Sequence, residues 1–265
     1  MNTAGATQVT RIDSRVNSLV KRLRRLSEHG SAYRKLGQFW IAGDHLCRAA
    51  LNRKIDVAIA VFAESFWAAG ATEWARAATR TVVVPDALFD ELSGLESGAR
   101  FGFVIDLPAV VVPLAGSASV ILDRVQDAGN VGSILRSAAA FGFRQVVSLK
   151  GSAALWSPKV LRAGMGAHFG LDLVEGLDTL EVQALGLPVI VTSSHRGDLV
   201  QHSVLPWPVA WVFGHEGQGV CEDLMSSAAL RVRIDQPGGE ESLNVAAAAA
   251  ICLHASATAR MRATP

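Results

Sequence analysis

Residues 121–143 read ILDRVQDAGNVGSILRSAAAFGF, and they predict the layout of the longer, C-terminal part of the chain. A short apolar run ends at Leu122, a polar loop covers residues 123–130, and residues 131–141 carry apolar side chains at helical spacing. Gly142 supplies a helix stop. A strand, a loop and a helix in this order place the loop where parallel α/β sheets bind their ligands, at the carboxyl end of a strand.

Arg136 is unusual in this predicted helix because its neighbours are small or apolar. A buried or half-buried arginine needs an anionic partner. Either Arg136 forms an ion pair with a local carboxylate, Asp123 or Asp127, or it awaits an anionic ligand, and the helix alone does not separate the two. Asn130 is a candidate cap for the helix that carries Arg136.

Length and composition favour a globular protein with a sizeable core. The chain has 265 residues, half of them hydrophobic, which suits two modest domains or one large one. No apolar run approaches the ~18–20 residues that span a bilayer, and the polar N-terminus lacks the apolar segment of a signal peptide. Cys47, Cys221 and Cys252 lie far apart, and the histidines show no metal-ligand spacing. We expect a cytoplasmic protein without a metal or a membrane segment.

Positive charge is concentrated near the N-terminus. Residues 1–54 carry eleven Lys/Arg against three Asp/Glu, a balance of +8 within a net charge of +1, so the remainder sums to −7. Residues 16–26 predict an amphipathic helix with one basic face. Such a helix can lie on a membrane surface, but its apolar stripe lacks aromatic anchors, which favours docking on its own domain. The predicted contacts with RNA phosphates are Arg22, Arg25, Arg34 and Lys35.

Short strands and helices alternate along most of the chain. We expect residues 1–10 to form a disordered tail and residues 1–110 to contain a small α/β sandwich domain. A linker with two prolines and a glycine follows at residues 107–116. Residues 117–265 predict a second domain, a mostly parallel sheet with helices on both faces.

Two later stretches repeat the pattern of a strand that leads into a glycine-containing loop. Residues 209–220 read VAWVFGHEGQGV, and residues 231–254 read RVRIDQPGGEESLNVAAAAAICLH. Glycines allow a backbone to approach a ligand closely. The glycine order in GHEGQG is not the G-x-G-x-x-G of dinucleotide-binding loops. In the second stretch Ser242 is the predicted cap of a long alanine-rich helix, with Asn244 in its first turn.

These three stretches, in this order, resemble the three signature motifs of the SpoU/TrmH family of RNA 2′-O-ribose methyltransferases, a branch of the knotted SPOUT class. The residues that carry the resemblance are Asn130, Gly132 and Arg136, then Gly214, Glu216, Gly217 and Gly219, and finally Ser242, Leu243, Asn244 and Val245. The resemblance runs from about residue 119 to the last residue. His215 departs from the pattern, which more often has Asn or Ala there.

The resemblance implies a fold, a cofactor, a substrate and an assembly. It implies a C-terminal trefoil knot, S-adenosylmethionine as methyl donor without a metal, an RNA ribose 2′-hydroxyl as acceptor, and a homodimer. The implied cofactor-binding residues are Gly214, Gly219, Ile234 and Leu243. The implied catalytic residues are Asn130, Arg136, Glu216, Ser242 and Asn244, and family mechanisms give the acceptor's proton to the residue that matches Arg136.

Residues 33–51 resemble the start of a small RNA-binding domain that precedes the methyltransferase core in many family members, although Ala42 replaces the usual glutamate. This favours ribosomal RNA as the substrate, with transfer RNA second. A non-catalytic RNA-binding or ribosome-assembly protein on the same fold is the alternative function. A hydrolase using Glu216 or Glu240 is disfavoured because the chain has no G-x-S-x-G nucleophile elbow.

Overall fold

The computed structural model describes residues 9–94, 98–109, 112–193, 196–238 and 242–263. The chain divides into two compact units. Unit 1 consists of residues 1–109 and 156–169, and unit 2 consists of residues 110–155 and 170–265.

Unit 1 contains a five-stranded mixed sheet. Its strands are β1 (Val9–Arg11), β2 (Gln38–Ala42), β3 (Val57–Ala63), β4 (Ala78–Val84) and β5 (Phe101–Asp106), in the order β1-β4-β3-β5-β2. The first three strands in this order are parallel, and β5 runs antiparallel to both of its neighbours.

The helices of unit 1 bury one apolar face each where they are long enough to have one. They are α1 (Ser18–Glu28), α2 (Ala32–Leu36), α3 (Asp44–Asn52), α4 (Glu64–Ala68), α5 (Thr72–Ala75), α6 (Asp86–Ser93) and α8 (Pro158–Gly164). On α1 the apolar stripe that the sequence predicts is buried: Leu19, Val20, Leu23 and Leu26. The basic amphipathic helix therefore packs on its own unit, as expected.

Residues 156–169 belong to unit 1, although the sequence analysis assigned them to the second domain. Ser157 caps α8 and Pro158 opens it, as expected. Aromatic packing explains the assignment to unit 1. The Trp156 and Phe169 rings lie 4.7 Å and 6.4 Å, respectively, from the Phe39 ring on β2, centroid to centroid.

Unit 2 contains a seven-stranded sheet in which every pair is parallel. Its strands are β6 (Ser119–Asp123), β7 (Gln145–Leu149), β8 (Asp172–Leu177), β9 (Val189–Thr192), β10 (Asp198–Leu199), β11 (Ala210–Gly214) and β12 (Leu230–Arg233), in the order β10-β12-β9-β11-β6-β7-β8. The prediction of a mostly parallel α/β sheet is confirmed.

Helices cover both faces of this sheet, and the alternation along β11 shows it. The helices of unit 2 are α7 (Ala128–Ala140), α9 (Thr179–Gln183), α10 (Glu222–Ser227) and α11 (Val245–Ala263). Val212 packs in a core cluster that includes Leu224 of α10. Trp211, which points the other way because side chains alternate along a strand, donates from Nε1 to Ser256 Oγ of α11 at 2.8 Å.

Two boundaries near functional residues differ from the sequence analysis. Residues 9 and 10 belong to β1 rather than to a disordered tail, because β1 extends the sheet beside β4, and the rest of that predicted tail lies outside the described residues. Helix α7 starts at Ala128, three residues earlier than expected. Asp127 caps it by accepting a 2.8 Å hydrogen bond from the N–H of Asn130, so Asn130 is not the cap.

Among the described residues, every helix falls short of the length and apolarity that a membrane crossing requires.

Candidate active site

A pocket of about 590 Å³ opens in unit 2 at the carboxyl ends of β9, β11 and β12, beside the start of α11. This is the edge of a parallel sheet where ligands bind. All four residues implied as cofactor-binding, Gly214, Gly219, Ile234 and Leu243, line this pocket. The implied catalytic residues Glu216, Ser242 and Asn244 also line it.

The loop after β11 folds back tightly on itself. The backbones of His215 and Gly219 exchange two hydrogen bonds of 3.1 and 2.8 Å, and Gly219 adopts a φ of +69°. A Cβ on Gly214 would lie 2.2 Å from the carbonyl carbon of Gly219 and from the backbone nitrogen of Val220. Glycine at 214 is therefore required by close backbone approach, since no side chain can fit there without moving the loop.

The side chain of His215 stabilises the same loop. Its Nδ1 accepts hydrogen bonds from the N–H groups of Gly217 at 3.0 Å and Gln218 at 3.2 Å. His215, which departs from the family pattern, therefore has a local structural role, because its imidazole holds the turn that carries Glu216.

Asp123 and Arg124 fasten this loop to the end of β6, and the sequence analysis did not assign either residue this role. Arg124 donates from Nε and Nη2 to the two Asp123 carboxylate oxygens at 2.8 and 3.1 Å, and from Nη1 to Gln218 Oε1 at 3.0 Å. The buried Asp123 also accepts the backbone N–H of Cys221 at 2.6 Å. Burial raises the pKa of Asp123, but Arg124 and the Cys221 N–H outweigh it and hold that pKa below its ordinary value.

Glu216 joins the loop after β11 to the loop after β6. Its Oε1 accepts from the backbone N–H of Asp127 and from Nδ2 of Asn130, both at 3.1 Å. Its Oε2 accepts from the N–H of Gln126 at 3.3 Å. Partial burial raises the pKa of Glu216, but hydrogen bonds from Asn130 and from the backbone lower it by more than burial raises it. The pKa therefore lies below its ordinary value, and the carboxylate is charged at neutral pH.

Asn130 and Asn244 extend this network to α11. Asn244 donates from Nδ2 to Asn130 Oδ1 at 2.9 Å, while its own Oδ1 accepts the N–H groups of Ala246 and Ala247 at 2.9 and 3.2 Å. Asn244 is therefore the residue that caps α11, and the expectation that Ser242 caps it is wrong, because the helix begins only at Val245. One hydrogen-bonded chain, Asn244–Asn130–Glu216, connects all three motifs.

Arg136 lies outside this network, on the exposed side of α7. Of the two alternatives that the sequence left open, the ion pair with Asp123 or Asp127 is wrong. Neither carboxylate proposed as its ion-pair partner contacts it, because Asp123 is held by Arg124 and Asp127 caps α7. Within the described part of the chain Arg136 makes no hydrogen bond or ion pair.

The predicted RNA-binding residues lie on unit 1 in different surroundings. Arg25, Arg34 and Lys35 are exposed, and Arg34 Cζ lies 5.4 Å from the centre of the Tyr33 ring. Arg22 is half-buried, with a buried Nε that has no hydrogen-bond partner. Two other basic residues of the same region, Arg15 and Arg24, form ion pairs with Glu91 of α6.

Among the described residues, no group of three or more His, Cys, Asp or Glu side chains is arranged to hold a metal ion. The residues missed from the sequence, Asp123 and Arg124, belong to the polar loop after β6. Arg124 adopts a φ of +57°, a backbone conformation that the sequence gives no means to anticipate for an arginine.

Comparison with protein families matches residues 117–254 to the SpoU rRNA methylase family model. A relative that matches nearly end to end is a 23S rRNA (guanosine(2553)-2′-O)-methyltransferase of Bacillus subtilis. It is 29% identical over 247 residues, which cover 92% of this chain and 97% of the relative.

Solved structures match over the same extent. A TrmH-family structure from Porphyromonas gingivalis is 30% identical, has a TM-score of 0.79, and is aligned over 92% of this chain and 98% of its own length. The SpoU methyltransferase AviRb from Streptomyces viridochromogenes, solved in complex with the cofactor AdoMet, has a TM-score of 0.81 over 92% of this chain and 98% of its own, at 23% identity. At that identity it shows the shared fold alone.

Proposed function

Since this chain belongs to the SpoU rRNA methylase family, we propose that it transfers a methyl group from S-adenosylmethionine to a ribose 2′-hydroxyl of RNA. The observation that carries the proposal is the hydrogen-bonded chain Asn244–Asn130–Glu216 at the mouth of the pocket. This chain unites three separate motifs in one place. An RNA-binding protein without catalysis would need the fold but not this arrangement.

The pocket residues fit the cofactor. About 590 Å³ is within the range of small-molecule sites. The close backbone approach at Gly214 exposes main-chain donors and acceptors, and Gln236, which also lines the pocket, has a buried Oε1 without a hydrogen-bond partner. Gly214, Ile234 and Leu243 would hold the cofactor through main-chain atoms, with Gly219 shaping the loop. When bound, S-adenosylmethionine supplies an electrophilic methyl group on a sulfonium.

The residues around the pocket have distinct roles in this proposal. Glu216 braces the loops after β6 and β11, because its carboxylate accepts from both Asp127 and Asn130. Asn244 orients Asn130 and opens α11, while the exposed Ser242 side chain faces the pocket and contacts substrate or cofactor.

Arg136 is the group that meets the RNA. Its exposed guanidinium, with no partner in the described part of the chain, is available for a phosphate or for the developing oxyanion of the ribose. It acts as an anchor and charge stabiliser rather than as a base, because an arginine is effectively never deprotonated.

Ribosomal RNA is the proposed substrate and the cytoplasm the proposed compartment. The Bacillus subtilis relative, aligned over nearly its whole length, methylates 23S rRNA by its name. Exposed Lys21 and Arg25 on α1, with Arg34 and Lys35 on α2, supply a basic surface on unit 1 that suits RNA phosphates.

The proposed assembly is a homodimer through unit 2. Apolar side chains remain exposed on and beside α11: Leu243 is 40% exposed, Ile251 41% and Met261 68%. The outward side of α7, which carries Arg136, consists otherwise of small residues. Small and apolar surfaces of this kind favour close two-fold packing.

Mapping ribose methylation tests the function. Ribosomal and transfer RNA from cells with and without the gene are compared nucleotide by nucleotide, and the purified protein is then given the unmodified RNA with tritiated S-adenosylmethionine. We expect one ribosomal 2′-O-methyl group to disappear without the gene and to return in the assay. A site in transfer RNA would correct the substrate, and no methyl transfer to either RNA would refute the enzyme.

A further inference from the structure

A second pocket lies entirely within unit 1 and shares no lining residue with the pocket of unit 2. Its volume is about 590 Å³. The residues that line it come from the start of α3, from the segment before β5 and from the end of α8. They include Gly43, His45, Leu46, Ala99, Arg162 and Met165. The wall is mainly apolar, and the Met165 side chain is exposed.

Arg162 gives this apolar pocket a positive charge. It is half-buried, and within the described part of the chain its guanidinium has no hydrogen bond or ion pair. One of its guanidinium nitrogens, Nη1, would lie 3.8 Å from a Cβ on Gly94, at the carboxyl end of α6. The carbonyls of a helix end attract a cation, but only weakly, so the charge remains available for an anion.

The start of α3 adds hydrogen-bond donors to the same pocket. Gly43 occupies the cap position with a φ of +94°, and no side chain caps the helix. Asp44 also lines the pocket, but its carboxylate is ion-paired along its own helix, where Arg48 Nε donates to both oxygens at 2.9 and 2.8 Å. An anion at the pocket mouth would therefore meet Arg162 and free backbone N–H groups.

A flat apolar group joined to an anion matches these walls, and this is the chemistry of a nucleotide. Unpaired RNA bases stack on aromatic side chains or arginine planes, and bases that enter a protein pocket are also held between apolar side chains. The charge of unit 1 agrees, because residues 1–109 and 156–169 carry sixteen Lys/Arg against eleven Asp/Glu, a balance of +5.

We propose that the pocket lined by Gly43, His45, Leu46, Ala99, Arg162 and Met165 receives one unpaired nucleotide of the RNA substrate, with the base against the apolar wall and a phosphate at Arg162. This inference rests on the proposed function, because it takes the substrate to be RNA. It adds a site of base recognition on unit 1 to the reacting site on unit 2. The chemistry of the bound group does not depend on which nucleotide is methylated.

The test uses the full chain and three substitutions. Arg162→Met and Lys159→Met each remove one positive charge from α8, but only Arg162 lines the pocket, so Lys159→Met is the matched control. Ala99→Trp fills the pocket without changing charge. Melting curves and calorimetric binding of S-adenosylhomocysteine establish that each variant is folded. The probe is unmodified ribosomal RNA transcribed in vitro, measured by filter binding at several salt concentrations.

We expect Lys159→Met to change RNA affinity by less than about threefold, as for an exposed phosphate contact. Arg162→Met should weaken it about tenfold or more, and Ala99→Trp should weaken it similarly without changing the salt slope, because stacking is not a charge effect. Ribosomal RNA containing 4-thiouridine or 6-thioguanosine should crosslink to residues 42–46 or 162–165 on irradiation.

If the Arg162→Met and Lys159→Met proteins bind RNA with equal affinity while the wild type methylates the RNA, the nucleotide pocket is contradicted. The proposed methyltransferase activity is not affected by that result. If Arg162→Met unfolds, the Ala99→Trp protein and the crosslinks still decide. Saturable binding of a free nucleoside monophosphate below about 100 µM would reassign the pocket to a small molecule. If Arg162→Met loses RNA binding while Lys159→Met keeps it, but the wild type transfers no methyl group, the pocket is supported and the proposed activity is refuted.

Discussion

Arg136 and Glu216 are charged residues of opposite kinds. The Glu216 carboxylate accepts hydrogen bonds from three neighbours, and one of them, Asn130, is held in turn by Asn244. Arg136 has no such commitment in the described part of the chain. A charge that is not used to hold the fold can be used on the substrate, and the two residues should therefore respond differently to substitution.

Arg136→Ala should lower the rate of methyl transfer by roughly two or more orders of magnitude, the loss typical of removing a charge stabiliser. Because the side chain is exposed, the free energy of unfolding should change by no more than ~0.5 kcal/mol. Tritiated-methyl transfer, melting curves and S-adenosylhomocysteine calorimetry measure the three quantities. Arg144→Ala, an exposed arginine just after α7, is the control.

Arg136→Lys refines the result, because lysine keeps the charge but loses the planar fork. A bidentate phosphate contact should suffer from this change. Full activity of Arg136→Ala would exclude a catalytic role for the residue. An Arg136→Ala protein that does not fold would show that the residue has a structural role.

Glu216 gives a prediction about pH. Its folded pKa lies below the ordinary value of about 4.3, so the carboxylate contributes stability that is fully present above that value and is lost as pH falls through the folded pKa. Glu216→Gln should lower the melting temperature at pH 7, and the difference from wild type should shrink below about pH 4. Asp235→Asn, in an exposed loop position, should show no such trend. A difference that stays constant between pH 7 and pH 3 would contradict the role of the charge.

At the scale of the element, hydrogen bonds within its own backbone hold the loop after β11. Gly214→Ala places a Cβ 2.2 Å from backbone atoms of Gly219 and Val220, so the loop has to move. We expect the affinity for S-adenosylhomocysteine to fall about tenfold or more, because the loop lines the pocket. Gly217→Ala is the matched control, since its Cβ would meet nothing closer than the His215 ring at 3.8 Å. Calorimetry that finds equal affinities for the two variants would show that the loop can relax.

The strands and long helices were predictable from periodicity, but the helix starts beside the pocket were not. The sequence around α7 offers two good capping residues three positions apart, Asp127 and Asn130. The choice is made by a residue far along the chain, because Glu216 accepts the Asn130 side chain and leaves the cap to Asp127. The same reason applies at α11, where Asn244 rather than Ser242 is the cap.

The pocket residues were predictable because a motif resemblance names them, whereas composition and spacing alone gave only glycine-containing loops. The roles of Asp123 and Arg124 could not be found this way. Arg124 contacts Gln218 and Asp123 contacts Cys221, each more than ninety residues away, and an Asp-Arg dipeptide after a strand carries no signal of these contacts. The sequence could not separate an ion pair of Arg136 from an open cation, because its neighbours on α7 do not show that it lies on the exposed side of the helix.

At the scale of the whole molecule, the proposed homodimer through unit 2 can be tested directly. Ile251→Glu places a charge on the exposed apolar side of α11 and should shift the protein from dimer to monomer in light scattering at micromolar concentration. Leu180→Glu is the matched control, because Leu180 is 72% exposed on α9. A wild-type protein that is monomeric and active would exclude the dimer. The knotted path implied by the family resemblance stays a prediction.

The first part of unit 1 ends at residue 109, and the return of residues 156–169 to that unit could not be anticipated. Helix α8 was evident from Ser157 and Pro158, which are local signals. Its packing depends on the ring contact between Trp156 and Phe39, which are separated by more than a hundred residues. A protein cut at residue 110 would thus lose part of the core of unit 1.

This return of the chain sets a time order for synthesis on the ribosome. About 60 residues separate Ala109 from Phe169, the last residue of unit 1. At ~5–20 residues per second, the nascent chain waits roughly 3–12 s between the two. During that interval β6, α7 and β7 emerge while the aromatic side of β2 still lacks Trp156. Unit 1 is therefore begun first but is complete only when residue 169 has been made, and until then the Phe39 ring lacks the two aromatic rings that cover it.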